Sequence, residues 1–289
     1  AYMGRNRNFW ESRKRNNQTF IMYYERLLSI AISRFKWNNL PPSVDSRFLE
    51  LVLCCKGYAC FFRDDVMGYL ALESTIGGEL TVYRIPKYRM AYATNGYQMN
   101  LTNEDSVLIF NNLIHTPSML DIELYALKLY EIDRTIDINI KAQKTPILIT
   151  CAENQLLTLK NLYQQYDGNE PVIFKDKYID TKNLSVLKTD APYVSDKLTE
   201  LKTQTWNECL TALGISNVSY QKRERLISDE VSRSMGGTMA NRFSVLEARK
   251  QACDQINRMF PELNISVEFN EDLNIVDDKE ILGGRGEEE

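Results

Sequence analysis

A single histidine, His115, and six cysteines bound the chemistry open to this chain. Cys54, Cys55, Cys60, Cys151, Cys209 and Cys253 contain no C-x-x-C pair, so they build no zinc site and read as reduced core residues. Asp64 and Asp65 have the form of a metal-binding carboxylate pair, and with Asp176 and Lys177 they outline a metal-dependent nuclease. One histidine leaves little for acid–base work, and no further motif places those acids, so Asp64-Asp65 is better read as a turn. Gly236-Gly237-Thr238 is not a phosphate loop, because G-x-x-x-x-G-K-[ST] is absent from the chain. The residue types therefore predict neither an enzyme nor an ATP-driven motor, and no cofactor or metal.

What remains is charge. The 289 residues are 44% hydrophobic and 26% charged, with a net charge of −4, but that charge is unevenly placed. Residues 1–15 set Arg5, Arg7, Arg13, Lys14 and Arg15 against Glu11 alone, whereas residues 262–289 set ten acids against Lys279 and Arg285. The body between is neutral, which argues against tight wrapping of nucleic acid. The arm, with Phe9 and Trp10 among its arginines, is expected to be flexible and able to hold nucleic acid by phosphate contact and stacking. A second basic stretch carries Lys222, Arg223, Arg225, Arg233 and Arg242, and its serines and glycines predict a mobile loop.

These charges hang on a long helix–tip–helix pattern from Pro117 to Leu213. Ile122, Tyr125, Leu129, Ile132, Ile136 and Ile140 recur at three and four residues, and Leu120, Leu124 and Leu127 begin a second apolar stripe. A helix apolar on two faces and charged on a third suits a ring of identical neighbours. It opens at Thr116-Pro117 and is stopped by Pro146; a second helix opens at Asp190-Ala191-Pro192 and stops at Gly214. Between them, ILIT from Ile147, a helical run from Leu156, PVIF from Pro171 and LSVL from Leu184 predict a small tip.

Before this hairpin, a helix is predicted from Thr19 to Trp37 and a shorter one from Arg47 to Gly57. Residues 58–110 change period: YACFF from Tyr58, YLALES from Tyr69, LTVYRI from Leu80 and MAYAT from Met90 predict a small antiparallel sheet broken at Gly77-Gly78. After it, a helix from Phe243 to Phe260 and a strand ISVEF from Ile265 close the pattern, and the tail beyond Asp277 is expected to be disordered. No apolar run reaches a membrane span and no secretory signal opens the chain, so a soluble, cytoplasm-assembled protein is expected.

The ordered strings NLPP from Asn39, FLE from Phe48, AQKTPILI from Ala142, VIF from Val172, KTDAPYV from Lys188, TWNE and LGI at the end of the second long helix, and KRERLISDEVS from Lys222 resemble a known family. It is the portal, upper collar or head-tail connector protein of small short-tailed bacteriophages with protein-primed linear genomes. The resemblance implies an α+β, mainly α portal fold assembled as a ring, normally of twelve subunits, at one vertex of the virion. Its parts would be a basic arm (1–15), a wing (16–116), a first channel helix (117–143), a clip (144–190), a second channel helix (191–214), a tunnel loop (215–242), a wing and crown segment (243–276) and an acidic tail (277–289). Double-stranded DNA would pass through the axis, and Lys188, Lys197, Lys222 and Arg223 would form basic rings in an otherwise acidic channel. Arg223 replaces a lysine there, which keeps the charge but alters the hydrogen-bond geometry. Implied partners are the major capsid protein, the packaging ATPase and the lower collar or tail, and in some relatives the arm meets a packaging RNA. The alternative is a nucleic-acid-binding protein that forms no ring and acts through its arm.

Overall fold

A computed structural model describes residues 2–143, 147–151, 172–176, 192–216 and 228–270. The chain divides into two compact units, Ala1–Leu129 with Thr205–Glu289, and Tyr130–Gln204.

In the first unit, α1 runs Tyr2–Ile32 and β1 follows at Phe35–Asn38. The arm expected to be flexible is helical: apart from Gly4, residues 2–32 contain no strong breaker, and arginine, lysine and glutamine are good helix formers even without an apolar stripe. The helix predicted to reach Trp37 stops at Ile32, because Phe35 and Trp37 are used in strand pairing, with Phe35 opposite Phe269 and Trp37 opposite Val267 of β9 (Ser266–Phe269). α2, Ser46–Lys56, is capped at its start by Asp45, whose side chain accepts from the N–H groups of Arg47 and Phe48. Gly57 ends it at φ 86°, and a Cβ there would stand 2.9 Å from the Pro117 nitrogen.

A five-stranded antiparallel sheet follows, in the order β5-β4-β3-β2-β6. Its strands are β2 Tyr58–Asp64, β3 Gly68–Leu80, β4 Pro86–Tyr92, β5 Gln98–Thr102 and β6 Ser106–Phe110. Two expectations are corrected. Gly77-Gly78 does not break β3 but sits in a bulge of its pairing with β4, and LTVYRI is mostly the turn that joins them, with Thr81 N–H donating to Ile85 O and Arg84 N–H to Thr81 O. Asp64 is the expected turn: its Oδ1 accepts from the N–H groups of Val66 and Met67, which holds its carboxyl below the ordinary carboxylate range. One sheet face, with Ala59, Phe61 and Ile109, joins Leu49, Val52 and Ile256 in the main core, while Cys60, Phe62, Ala91, Leu101 and Leu108 form a second, smaller core on the other.

α3, Met119–Ala142, and α4, Ser195–Ala212, are the two predicted long helices. α5 runs 32 residues, Ser228–Met259. Residues 228–242, expected in a mobile loop, therefore belong to the same helix as the predicted segment from Phe243. Two glycines cost about 1 kcal/mol each in a helix interior, yet Asp229 and Glu230 stand in the first turn, where the helix dipole favours acids, and Val245, Ala248, Ala252, Cys253 and Ile256 anchor the far half in the core. In the second unit, β7 (Ile147–Cys151) and β8 (Val172–Asp176) pair in parallel. The runs from Leu156 and Leu184 and the acidic tail lie outside the described residues.

Candidate functional site

The ends of α3 and α4 in the larger unit are held by buried charge. Arg249 is fully buried and grips Glu50 with two hydrogen bonds, Nε to Oε1 at 2.9 Å and Nη2 to Oε2 at 2.7 Å. Trp37 Nε1 donates to the same carboxylate at 2.9 Å, and Arg249 Nη1 donates to the backbone oxygen of Asn111 at 2.7 Å. Asn111 passes the restraint on: its Nδ2 donates to Thr116 O and to Ser118 Oγ, at the threshold of α3. Ser118 N–H donates to Cys54 O, and Ile122 N–H returns to Ser118 O, so the helix starts two residues after the predicted Thr116-Pro117 cap.

The last turn of α4 closes as a Schellman motif, with Gly214 N–H donating to Thr211 O and Ile215 N–H to Leu210 O. Gly214 has φ 76°, and a Cβ there would meet the Arg242 backbone at 2.9 Å. Leu213 O and Gly214 O are taken by Arg34 Nη1 and Arg242 Nε, and Asn241 Nδ2 adds a second bond to Thr211 O, each at 3.0 Å. Cations there also suit the helix dipole. Burial, with Arg249 nearby, pushes the Arg34 guanidinium down to about 10, and both arginines lie against the Phe35 ring. Nothing in the spacing of Arg34, Glu50, Asn111 and Arg249 revealed this cluster; the one available signal was Glu50, a lone charge in the apolar run FLELVLCC.

In the smaller unit the start of α4 is tied to α3 by Asn139. Its Nδ2 donates to Pro192 O at 2.9 Å, and its Oδ1 accepts from Val194 N–H at 3.1 Å and Ser195 Oγ at 3.0 Å. Lys202 and Asp133 form an ion pair at 2.7 Å between the same helices. The sequence of α3 carries five acids against three bases, and that of α4 three against two.

The apolar stripes of α3 separate in the structure. Ile122, Ala126, Leu129 and Ile132 are buried, but Leu120, Leu124 and Leu127 are 67%, 51% and 46% exposed, and Ile140 is exposed as well.

Of the predicted DNA-contacting residues, Lys197 lies in the first turn of α4, exposed and with no ion pair among the described residues. Lys188, Lys222 and Arg223 lie outside the described residues. Arg5, Arg7, Arg13, Lys14 and Arg15 fall along α1. Asp176 ends β8 and Asp64 is engaged in its turn; among the described residues no group of three or more histidine, cysteine, aspartate or glutamate side chains could hold a metal ion. Cys54, Cys60, Cys209 and Cys253 are buried free thiols as expected, and burial raises the first two to about 11 and the last two to about 12. No described helix is long and apolar enough to cross a membrane.

The fold has a known counterpart. The solved structure "Portal and tail of native bacteriophage P68" contains a chain similar in fold, with a TM-score of 0.51 at 14% identity, covering 95% of this chain and 97% of that one. The family profile Phage Connector (GP10) matches residues 5–274, nearly the whole sequence. The chain therefore belongs to the Phage Connector family.

Proposed function

We propose that this protein is a viral portal, a ring of identical subunits at the head-tail junction through which double-stranded DNA enters the capsid and later leaves it. The observation that carries the reading is the leucine ridge of α3: in a chain of the connector family, Leu120, Leu124 and Leu127 form an apolar stripe that the subunit itself leaves exposed. A neighbouring subunit is its natural cover, since burying a leucine is worth roughly 1.5–3 kcal/mol. The ring is a dodecamer, and α3 and α4 form its channel wall. Their excess of acids lets DNA slide without tight binding, while Lys188, Lys197, Lys222 and Arg223 make transient phosphate contacts. Arg13, Lys14 and Arg15 on α1 contact DNA or a packaging RNA. The ring meets the major capsid protein, docks the packaging ATPase during filling and the lower collar or tail afterwards, and works as a structural conduit rather than an enzyme.

Negative-stain electron microscopy of the purified protein tests this directly. Rings with a central hole and fixed rotational symmetry are expected, and Leu124→Glu is expected to abolish them while the subunit stays folded by circular dichroism. Featureless small particles from the wild type would instead favour a nucleic-acid-binding protein acting through residues 1–15. Replacing Lys188 and Lys197 together by alanine is expected to leave the ring intact and to alter DNA transit or retention. If the ring fails to form in that variant, the two lysines are structural.

A further inference from the structure

Away from the long helices, the five-stranded sheet, its β3–β4 turn and the end of α5 border an open cleft of about 660 Å³, within the size range of small-ligand sites. Its wall combines the cations Arg89 and Arg258 and the acid Glu104 with Ser106 and the apolar Ile85 and Met259. Arg89 is the unusual member. It is only 7% exposed, on the central part of β4, and forms no ion pair among the described residues. Its Nη1 donates to the backbone oxygen and hydroxyl of Ser106. Its Nε is buried with no hydrogen-bond partner at all. A buried guanidinium with an orphaned N–H is costly, and native proteins rarely leave one unexplained.

With Nη1 committed to Ser106, the Nε–Nη2 edge of the guanidinium remains, a planar fork that matches the two oxygens of one carboxylate. Arg258, exposed on α5 and without an ion pair among the described residues, supplies a second positive charge in the same wall. Ile85 and Met259 offer apolar surface for the carbon chain that carries the acid. Glu104 lowers the net positive charge of the wall and so weakens its hold on any anion, while the apolar surface favours a carboxylate that carries a carbon chain over inorganic phosphate. From this geometry we infer that the cleft is a carboxylate-binding site in which Arg89 forms the fork, Arg258 adds charge and the apolar wall holds the attached chain.

The test is thermal unfolding of the full-length protein in its native assembly, titrated with sodium butyrate, the peptide Ac-Leu-Glu-Leu-amide, inorganic phosphate or sodium chloride at equal ionic strength. The carboxylates are expected to raise the unfolding temperature above the chloride baseline, and phosphate is expected not to. A larger rise with the peptide assigns the carboxylate to a polypeptide, and a larger rise with butyrate assigns it to a free small acid. Arg89→Met is expected to remove the carboxylate response, and Glu104→Gln to strengthen it severalfold. No carboxylate response in the wild type, an equal response to phosphate, or a response that survives Arg89→Met would overturn the assignment. Should Arg89→Met not fold, the exposed positions decide: a response unchanged in both Arg258→Ala and Glu104→Gln would overturn it equally.

Discussion

The two units hold the same pair of helices by different physics. In the larger unit the start of α3 and the end of α4 are fastened by a cluster of two buried arginines and a buried glutamate, with nearly every donor placed on a backbone carbonyl or the carboxylate. In the smaller unit the helices are joined by Asn139 and by the partly exposed Lys202–Asp133 ion pair. The first kind of fastening is brittle, because each partner removed leaves a charge stranded in a low-dielectric interior. The second is milder, because water can replace much of what the partly exposed ion pair loses, and the buried Asn139 is uncharged.

The contrast can be broken from the rigid side first. Arg249→Leu strands Glu50 and frees Asn111, and is expected to cost about 3–5 kcal/mol, read as a lower denaturation midpoint in urea. Replacing Glu50, Arg249 and Trp37 together with apolar residues should recover part of that loss. Asn139→Ala removes the side-chain cap of α4 and is expected to cost about 1–2 kcal/mol. Hydrogen exchange should show the loss at residues 195–199 and leave α2 unchanged; faster exchange in both would mean that the two fastenings are one. Asp133→Asn breaks a pair whose members are 23% and 37% exposed, and should cost less than about 1 kcal/mol in the same denaturation assay.

The smallest effect concerns His115, held at φ 61° and stacked on Phe110 with ring centroids 3.5 Å apart. Burial lowers its pKa from the ordinary 6.5. The unfolded chain then binds a proton more readily than the folded one, so the contribution of this residue is complete above pH 6.5 and declines as pH falls through the window below it. As the only histidine, it gives a single imidazole titration by proton NMR, with a midpoint expected below 6.5; a midpoint at or above 6.5 refutes the stacked environment.

Local signals in the sequence were enough for several elements. Gly57 ended α2, Gly214 ended α4, the change of period over residues 58–110 marked a sheet, and the three-and-four spacing marked α3. They failed where a distant partner or an unpatterned composition decided. Phe35 and Trp37 fit a helical stripe as well as a strand, and only pairing with β9, over 230 residues later, makes them a strand. Residues 2–15 and 228–242 are polar or glycine-containing stretches without a clear stripe, and continuity with a packed helix carries them into α1 and α5. The candidate ring residues Lys188, Lys197, Lys222 and Arg223 were assigned only through resemblance, since a lysine in a first helical turn has no distinguishing local signal.

The sequence by itself determined the family, the two long helices α3 and α4 and the absence of recognisable catalytic motifs, because these depend on residue order and local period. Tertiary structure alone decided which stripe of α3 is buried and which is left exposed, that Arg34, Glu50 and Arg249 meet in one core, and that Arg89 stands in a cleft with an unused edge. Those facts depend on which distant segments surround a residue, and the burial and charge compensation that follow cannot be computed from its neighbours in the chain.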